Sequence, residues 1–509
     1  MASVSKAQTM KNLSANIVYF VANILIGVFL VPFYIDTLGI AAYGIIPLAT
    51  SLIGYVGVLT DSLNSAMSRH LTVDVQSGDA GRANRTFNSA LFGMTRAILL
   101  MVPAIIIVAI IAPMVFGVAQ EHILDATWLF LSIGAAFLLR SWSSSFTVTL
   151  YASNRLDLIN LINSINVIVQ VALIIGLFSM TTPSLALIGI AYLLGAIVAM
   201  IVTLVLFRRM NVGITVRPDQ YDGRRFREMA EMGGWIIVNN LGSLLFLSVD
   251  LLIVNYLFGN VAGGEYAIAL QWTILLRAMA TTFISVLGPV ILIAYANKQM
   301  EDIITYSKSA VKLTGIGMAL PVGLICGFAP NILGLWVGDE FAFLAPLLII
   351  LISHLVINTA VTPLFLVYTA FNKVRAPAII TLMGGIGNVL LVFLLAATLG
   401  WGIYGVAAAG LIGLTIKNFF FTPIYAAMVM QIPLRTFYPS MLPGVLSMSI
   451  ITMLSIAMSS LISPHNLVEL GASAGAITAG YVFLTWKFLL DDAEKSLVPI
   501  PASIRRVLT

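Results

Sequence analysis

Charge is scarce in this chain: 9% of its 509 residues are Asp, Glu, Lys or Arg, against roughly 25% in an ordinary soluble domain. Hydrophobic residues make up 60%, so water cannot be the main solvent. Cysteine is almost absent too. The single thiol, Cys326, excludes an intramolecular disulfide. Four scattered histidines, His70, His122, His354 and His465, have no metal-ligand spacing, so no structural metal is expected. Enzyme signatures are also missing: there is no Walker-type phosphate loop, no H-E-x-x-H and no G-x-S-x-G. The adjacent acids Glu301 and Asp302, Asp339 and Glu340, and Asp491 and Asp492 fall in expected loops or the tail. An ATP-driven pump is disfavoured on these grounds. The formal net charge of +5 does not point to nucleic acid, because the basic residues sit in short loops rather than in one patch.

What the chain has in abundance is apolar runs long enough to cross a bilayer. A spanning helix needs about 20 apolar residues, and an unpaired peptide group in hydrocarbon costs several kcal/mol, so helices are implied. Spans are expected near 12–35, 41–67, 88–116, 126–149, 158–180 and 184–207. After a polar stretch come spans near 233–257, 263–296, 310–337, 343–370, 377–398 and 402–428, with two more near 439–462 and 467–488. The fold class is therefore an all-α polytopic membrane protein of about 14 transmembrane helices. Its expected parts are a six-helix lobe (1–207), a cytoplasmic linker (208–232) with six arginines from Arg208 on, a second six-helix lobe (233–428), and two further helices with a cytoplasmic tail (429–509). Lys6 and Lys11 precede the first run as in a signal peptide. That run is longer than a signal h-region and lacks a convincing cleavage site, so it reads as a retained helix.

Lys and Arg favour the cytoplasmic side, counted over short loops. The loops beginning near Asp36, Gly117, Thr181, Gly259, Gly338, Gly400 and Ser463 contain neither, while the alternate loops, the adjoining span ends and the termini hold 22 of the 26. Both termini are expected in the cytoplasm. A weak repeat runs through the chain at a shift of about 220 residues. Asn16 matches Asn239 and Tyr43 matches Tyr266; Ser89 and Ala90 match Ser309 and Ala310; Asn154, Arg155 and Gln170 answer Asn372, Lys373 and Asn388. Six helices per repeat return the chain to the same side, so the repeat is parallel, and a cavity between the two lobes is its natural consequence.

A charge at the bilayer centre costs about 2.5–3.5 kcal/mol on insertion scales, so ionisable residues inside spans need a wet cavity, a partner or a route to the interface. Asp61, Arg96, Arg140, Asp250, Arg277 and Lys417 are such residues. Arg277 lies about 21 Å into its span, which makes it the leading cavity candidate over a structural ion pair. Arg96, Arg140 and Lys417 lie nearer the cytoplasmic ends, where snorkelling to headgroups is the competing reading, and it is the preferred one for Lys312. Asp61 and Asp250 cannot snorkel far on one methylene. Each is a candidate to pair with a cavity arginine or to bind a coupling proton or sodium ion, and otherwise caps a structural polar network. Asn12, Asn16, Tyr19 and Asn23 share one face of the first helix, and Asn239, Ser243 and Asp250 one face of its repeat mate. Such stripes would offer hydrogen bonds to sugar hydroxyls, or else glue helices together.

The segment NILIGVFLVPFYIDTLGIAAYGIIPLATSLIGYVGVLTDSLNSAMSRHL, within Lys11 to Gly78, resembles the first two helices of bacterial polysaccharide-biosynthesis flippases, the Wzx-type O-antigen flippases. YTAFNKVRAPAIITLMGGIGNVLLVFLLAATLGWGIYGVAAAGLIG, from Tyr368 to Gly413, is similar to their tenth to twelfth helices. The resemblance implies the multidrug/oligosaccharidyl-lipid/polysaccharide (MOP) exporter fold in a bacterial inner membrane. It also implies an undecaprenyl-pyrophosphate-linked oligosaccharide as substrate, moved to the periplasmic leaflet by alternating access, with other polysaccharide assembly proteins as partners. Arg277, Arg140, Arg96 and Lys417 would then meet the pyrophosphate, and Asn16, Asn23 and Asn239 the glycan. Fourteen helices are similar to the lipid II flippases of that superfamily, whereas O-antigen members usually have twelve, so the subclass stays open. A multidrug or cation antiporter of the superfamily is the alternative, and would call for a more acidic cavity. A membrane glycan polymerase or ligase is disfavoured by outer loops of only a handful of residues.

Overall fold

The computed structural model describes residues 6–210, 213–296 and 299–497. Among these there are helices and no strands. The chain runs through α1 (Lys6–Leu38), α2 (Ile40–Gln76), α3 (Ala80–Val115), α4 (Ile123–Ala152), α5 (Leu156–Met180) and α6 (Leu185–Met210). There follow α7 (Gly223–Leu247), α8 (Val249–Ala296), α9 (Met300–Gly327), α10 (Ala329–Val337), α11 (Ala345–Ser353), α12 (Leu355–Ala360) and α13 (Leu364–Ala370). The last are α14 (Arg375–Val392), α15 (Gly402–Ile416), α16 (Thr422–Met430), α17 (Tyr438–Ile462), α18 (Leu467–Leu484) and α19 (Asp492–Leu497). Among the described residues twelve helices are long and apolar enough to cross a membrane, or thirteen if Ile237–Leu247 and Val249–Thr281, bent by 41°, count as one. The expected spans near 233–257 and 263–296 are both found within α7 and α8, where Gly259 (φ 84°) breaks the helical run. The expected cytoplasmic tail lies outside the described residues beyond Leu497.

Two compact units are formed, Met1–Gly264 and Glu265–Thr509. The repeat found in the sequence reappears as matching backbone turns within them. Asn154 and Asn372 both adopt the left-handed conformation, at φ 56° and 55°. In each turn the next residue donates to a carbonyl five back, Arg155 to Leu150 and Lys373 to Tyr368, both at 2.8 Å. Asparagine tolerates this conformation better than most residues, which explains its presence in both copies. Gly39 (φ 81°) and Gly259 (φ 84°) form a second such pair. Tyr43 and Tyr266, matched by the repeat, are both buried.

Three departures from the sequence reading have local causes. Helix α7 starts ten residues before its apolar run, because Asp222 caps it by accepting from the amides of Arg224 and Arg225. The span expected at 343–370 is divided among a 3-10 turn at 339–344 and the short helices α11, α12 and α13, with Pro346 and Pro363 at helix starts where a missing N–H is tolerated. Lys312 does not reach outward: its Nζ pairs with Glu494 at 2.6 Å, which seats α19 against α9.

From residue 213 the linker packs on α3. Asn84 accepts from the Thr215 amide (2.8 Å) and donates to the Gly213 carbonyl (2.9 Å), while Asn88 does the same for Arg217 and Thr215. Two amides one turn apart on α3 thus serve an extended segment as a neighbouring strand would.

Candidate functional site

In the first unit the polar side chains of four helices form one continuous stripe. Asn160 at the start of α5 donates to Asn16 of α1 (3.4 Å). One turn along, Asn163 accepts from Arg140 Nη2 of α4 (3.2 Å). One turn beyond Arg140, Ser144 accepts from Asn64 of α2, and Asp61 stands a turn away on the same helix. Each step joins residues three or four apart, which share a helix face. Arg140 and Asp61 are exposed although both belong to spanning helices, and Asn16, Asn64, Asn160 and Asn163 are exposed or half-buried. Arg140 lies twelve residues before the end of α4, about 18 Å at 1.5 Å per residue. Its bond to Asn163 holds the guanidinium against the neighbouring helix, with four of its five N–H groups left over for other acceptors.

Asn23 is half-buried and donates to the Tyr19 carbonyl of its own helix at 2.7 Å, which ties it down locally. Asn12 is buried and joins α1 to the 154–157 turn: it donates to Asn154 (3.1 Å) and accepts from the Asp157 amide (3.0 Å). That is interhelical glue. Arg96 is exposed and stands over the Tyr221 ring, 4.4 Å from its centroid, which couples it to the segment just before α7. Asn239 is exposed on α7, and its carbonyl accepts from Ser243. Asp250 is buried, within electrostatic reach of Tyr55 on α2.

The second unit arranges its polar groups differently. Asn358 donates to His354 Nδ1; an amide nitrogen can only donate, so the imidazole accepts at that atom. Asn358 accepts from Asn418 (3.2 Å), Asn418 accepts from Thr422 (3.2 Å), and the Thr422 carbonyl accepts from Tyr368. All five side chains are buried. Arg277, half-buried on α8, interacts electrostatically with His354 at one end of this chain. Lys417 opens a π-helical turn (Lys417–Phe421), and its Nζ lies 5.6 Å from the centre of the Phe365 ring. Asn418, which bonds to Asn358, lies within this turn.

Sequence reasoning names Arg140, Asn16 and Asp61 of the first stripe and misses Asn64, Ser144, Asn160 and Asn163. The i, i+3 spacing of Asn160 and Asn163 is a usable signal; their partners on α1 and α4 are not visible without the fold. His354 reads as an isolated histidine in the sequence, and the structure gives it four linked neighbours. Among the described residues no group of three His, Cys, Asp or Glu could hold a metal ion.

The family described as "Polysaccharide biosynthesis protein" matches residues 9–292. The uncharacterized membrane protein EpsK of Bacillus subtilis (strain 168) is 33% identical over 418 residues, covering 82% of this chain and 83% of that protein. This chain belongs to the polysaccharide biosynthesis protein family. Its fold is that of the MOP exporters. The lipid II flippase MurJ in an inward closed conformation aligns with a TM-score of 0.69 at 15% identity, over 93% of this chain and 100% of that one. The MATE multidrug transporter DinF-BH gives 0.64 at 14% identity, over 86% and 97%. An inward-facing MATE family transporter of the MOP superfamily gives 0.60 at 15%, over 87% and 99%. As a polysaccharide biosynthesis protein with a transporter fold, the chain is a multi-pass membrane protein whose partly exposed polar stripe lies on spanning helices.

Proposed function

We propose that this family member is a flippase that carries an undecaprenyl-pyrophosphate-linked oligosaccharide from the cytoplasmic to the periplasmic leaflet of a bacterial inner membrane by alternating access. The observation that carries this reading is the stripe Asn16, Asn160, Asn163, Arg140, Ser144 and Asn64 on membrane-spanning helices, exposed at Asn16 and Arg140 and half-buried at the others. A lipid-linked glycan presents two chemistries at once. Its pyrophosphate needs a donor that keeps its charge, and guanidinium offers a planar fork for phosphate oxygens. Its sugar hydroxyls need groups that both donate and accept, which the amides and Ser144 provide. The prenyl tail needs neither and stays in the bilayer.

Arg277 is the second cation assigned to the headgroup in this proposal, and Lys417 a third. Asp61 beside the stripe, or Asp250, couples turnover to a proton or sodium ion. Both termini face the cytoplasm, and the boundary between the repeats falls in the 208–232 linker. An antiporter for organic cations is the other reading the fold allows. A stripe with a guanidinium, neutral amides and the lone acid Asp61 suits an anion better than a cation.

The test is flipping of a fluorescent undecaprenyl-pyrophosphate oligosaccharide in proteoliposomes. Arg140→Ala and Arg277→Ala, each folded and inserted normally, are expected to lose transport, with Arg→Lys keeping part of it. Full rates in both alanine variants would remove the proposal. The lipid-linked glycan that accumulates in cells lacking the protein would name the sugar.

A further inference from the structure

A groove of about 860 Å³ opens in the second unit among α12, the 417–421 π-turn, α16 and the beginning of α17. That volume is within the range of small-molecule sites, roughly 300–1,000 Å³. Its walls are apolar, with Ile357, Phe419, Ile424, Leu442 and Val445 among them, and among the described residues Arg435 is the one charged residue lining it. Arg435 sits in the short loop between α16 and α17, exposed, at the membrane-boundary end of two spanning helices. Tyr438 props the site open: its hydroxyl donates to the Phe419 carbonyl at 3.0 Å, and its ring packs edge-on against Phe419 at 5.2 Å. None of the polar groups assigned to the proposed substrate lines it.

We infer that this groove is a binding site for a monoanionic phospholipid, with an acyl chain between α16 and α17 and the phosphodiester on Arg435. The surroundings decide the class of occupant. A groove walled mainly by apolar side chains, with the Tyr438 hydroxyl already spent on the Phe419 carbonyl, is filled by hydrocarbon away from Arg435, because water there would lose its partners. The charge count decides between lipids. One guanidinium balances the single negative charge of a phosphodiester, whereas a pyrophosphate calls for two or more cations. Basic pockets between spanning helices at the cytoplasmic boundary are suited to anionic headgroups, and the orientation proposed above puts Arg435 at that boundary. The occupant would tie α17 to α16 and the 417–421 turn.

The inference is independent of which substrate is carried, and its test reads lipid binding rather than flipping. Full-length protein is purified, delipidated in detergent, and titrated with phosphatidylglycerol, phosphatidylcholine or undecaprenyl phosphate while thermal stability and lipid adducts in native mass spectra are followed. Phosphatidylglycerol is expected to stabilise and to remain bound in preference to phosphatidylcholine. Arg435→Gln should weaken phosphatidylglycerol about fivefold, the factor one juxtamembrane arginine supplies, and Arg435→Lys should keep most of the preference. Leu442→Trp should fill the groove and abolish retention of either phospholipid. Equal retention of the two phospholipids by the native chain, an unchanged preference in Arg435→Gln, or stronger retention of undecaprenyl phosphate than of phosphatidylglycerol would each overturn it.

Discussion

The two units share the repeat's Asn154 and Asn372 turns but dispose of their polar groups in opposite ways. In the first, Asn16, Asn160, Asn163 and Arg140 bond in pairs along an open stripe, and each keeps unused donors or acceptors. In the second, Asn358, Asn418 and Thr422 bond end to end between His354 and Tyr368, and the whole chain is buried. At the repeat shift of 218, Arg140 corresponds to Asn358. One copy has a long charged side chain at this position and leaves it exposed; the other has a short amide and closes around it. Burial requires every polar group to be satisfied internally, so the second unit's chain serves packing. A partly exposed, partly satisfied stripe on spanning helices can take a ligand, so within the first unit this stripe is where substrate contact is to be sought.

The largest expected effect comes from breaking the closed chain. Asn358→Leu orphans His354 Nδ1 and the Asn418 amide, at about 1–3 kcal/mol for each buried group, so thermal unfolding in detergent should fall steeply. If stability is unchanged, the buried chain is not what holds these helices. Arg140→Ala tests the open stripe. Folding should be near normal, while flipping drops about ten- to a hundredfold, matching the 1.5–3 kcal/mol of a charged hydrogen bond. A loss of stability with unchanged flipping per folded molecule would reverse the assignments of the two units.

A smaller effect is expected at the meeting of α2 with the 260–264 turn of α8. There a Cβ on Gly44 would come within 2.5 Å of the Asn260 carbonyl oxygen, and one on Gly264 would strike the Ile40 carbonyl oxygen. Gly44→Ala or Gly264→Ala should cost about 1–3 kcal/mol in thermal stability, because backbone cannot move aside as a side chain can. Normal melting in both would show that the helix ends separate freely. Smallest is Asn16→Ala, which removes one neutral partner; flipping should fall a few-fold, in line with about 1 kcal/mol per net hydrogen bond, with stability unaltered.

Much of the fold was legible because the bilayer imposes a coarse rule. Every span had to be an apolar run, so α1, α4 to α6 and α14 to α18 follow the hydropathy closely, while α2 and α3 run on into the polar stretch between the spans expected at 41–67 and 88–116. Where the rule is silent the boundaries drift. The charged first turns of α7 carry no hydropathy signal, and the breaks at α11, α12 and α13 depend on proline placement and on packing within an apolar stretch. The site was legible in kind and not in membership. Arg140 stood out because a charge inside a span is expensive, while Asn160 and Asn163 did not, since amides in spans serve equally as glue.

By itself the sequence determined that this is an all-helical membrane protein with two related repeats, because hydrophobic length, the absence of charge and the matching of residues some 220 apart are properties of the chain as written. Only the tertiary structure decided which polar residues are open and which are closed. Asn16 and Asn358 are the same kind of group inside apolar spans, and what separates them is whether neighbouring helices supply all their hydrogen-bond partners, a matter of packing between segments more than a hundred residues apart or about sixty apart.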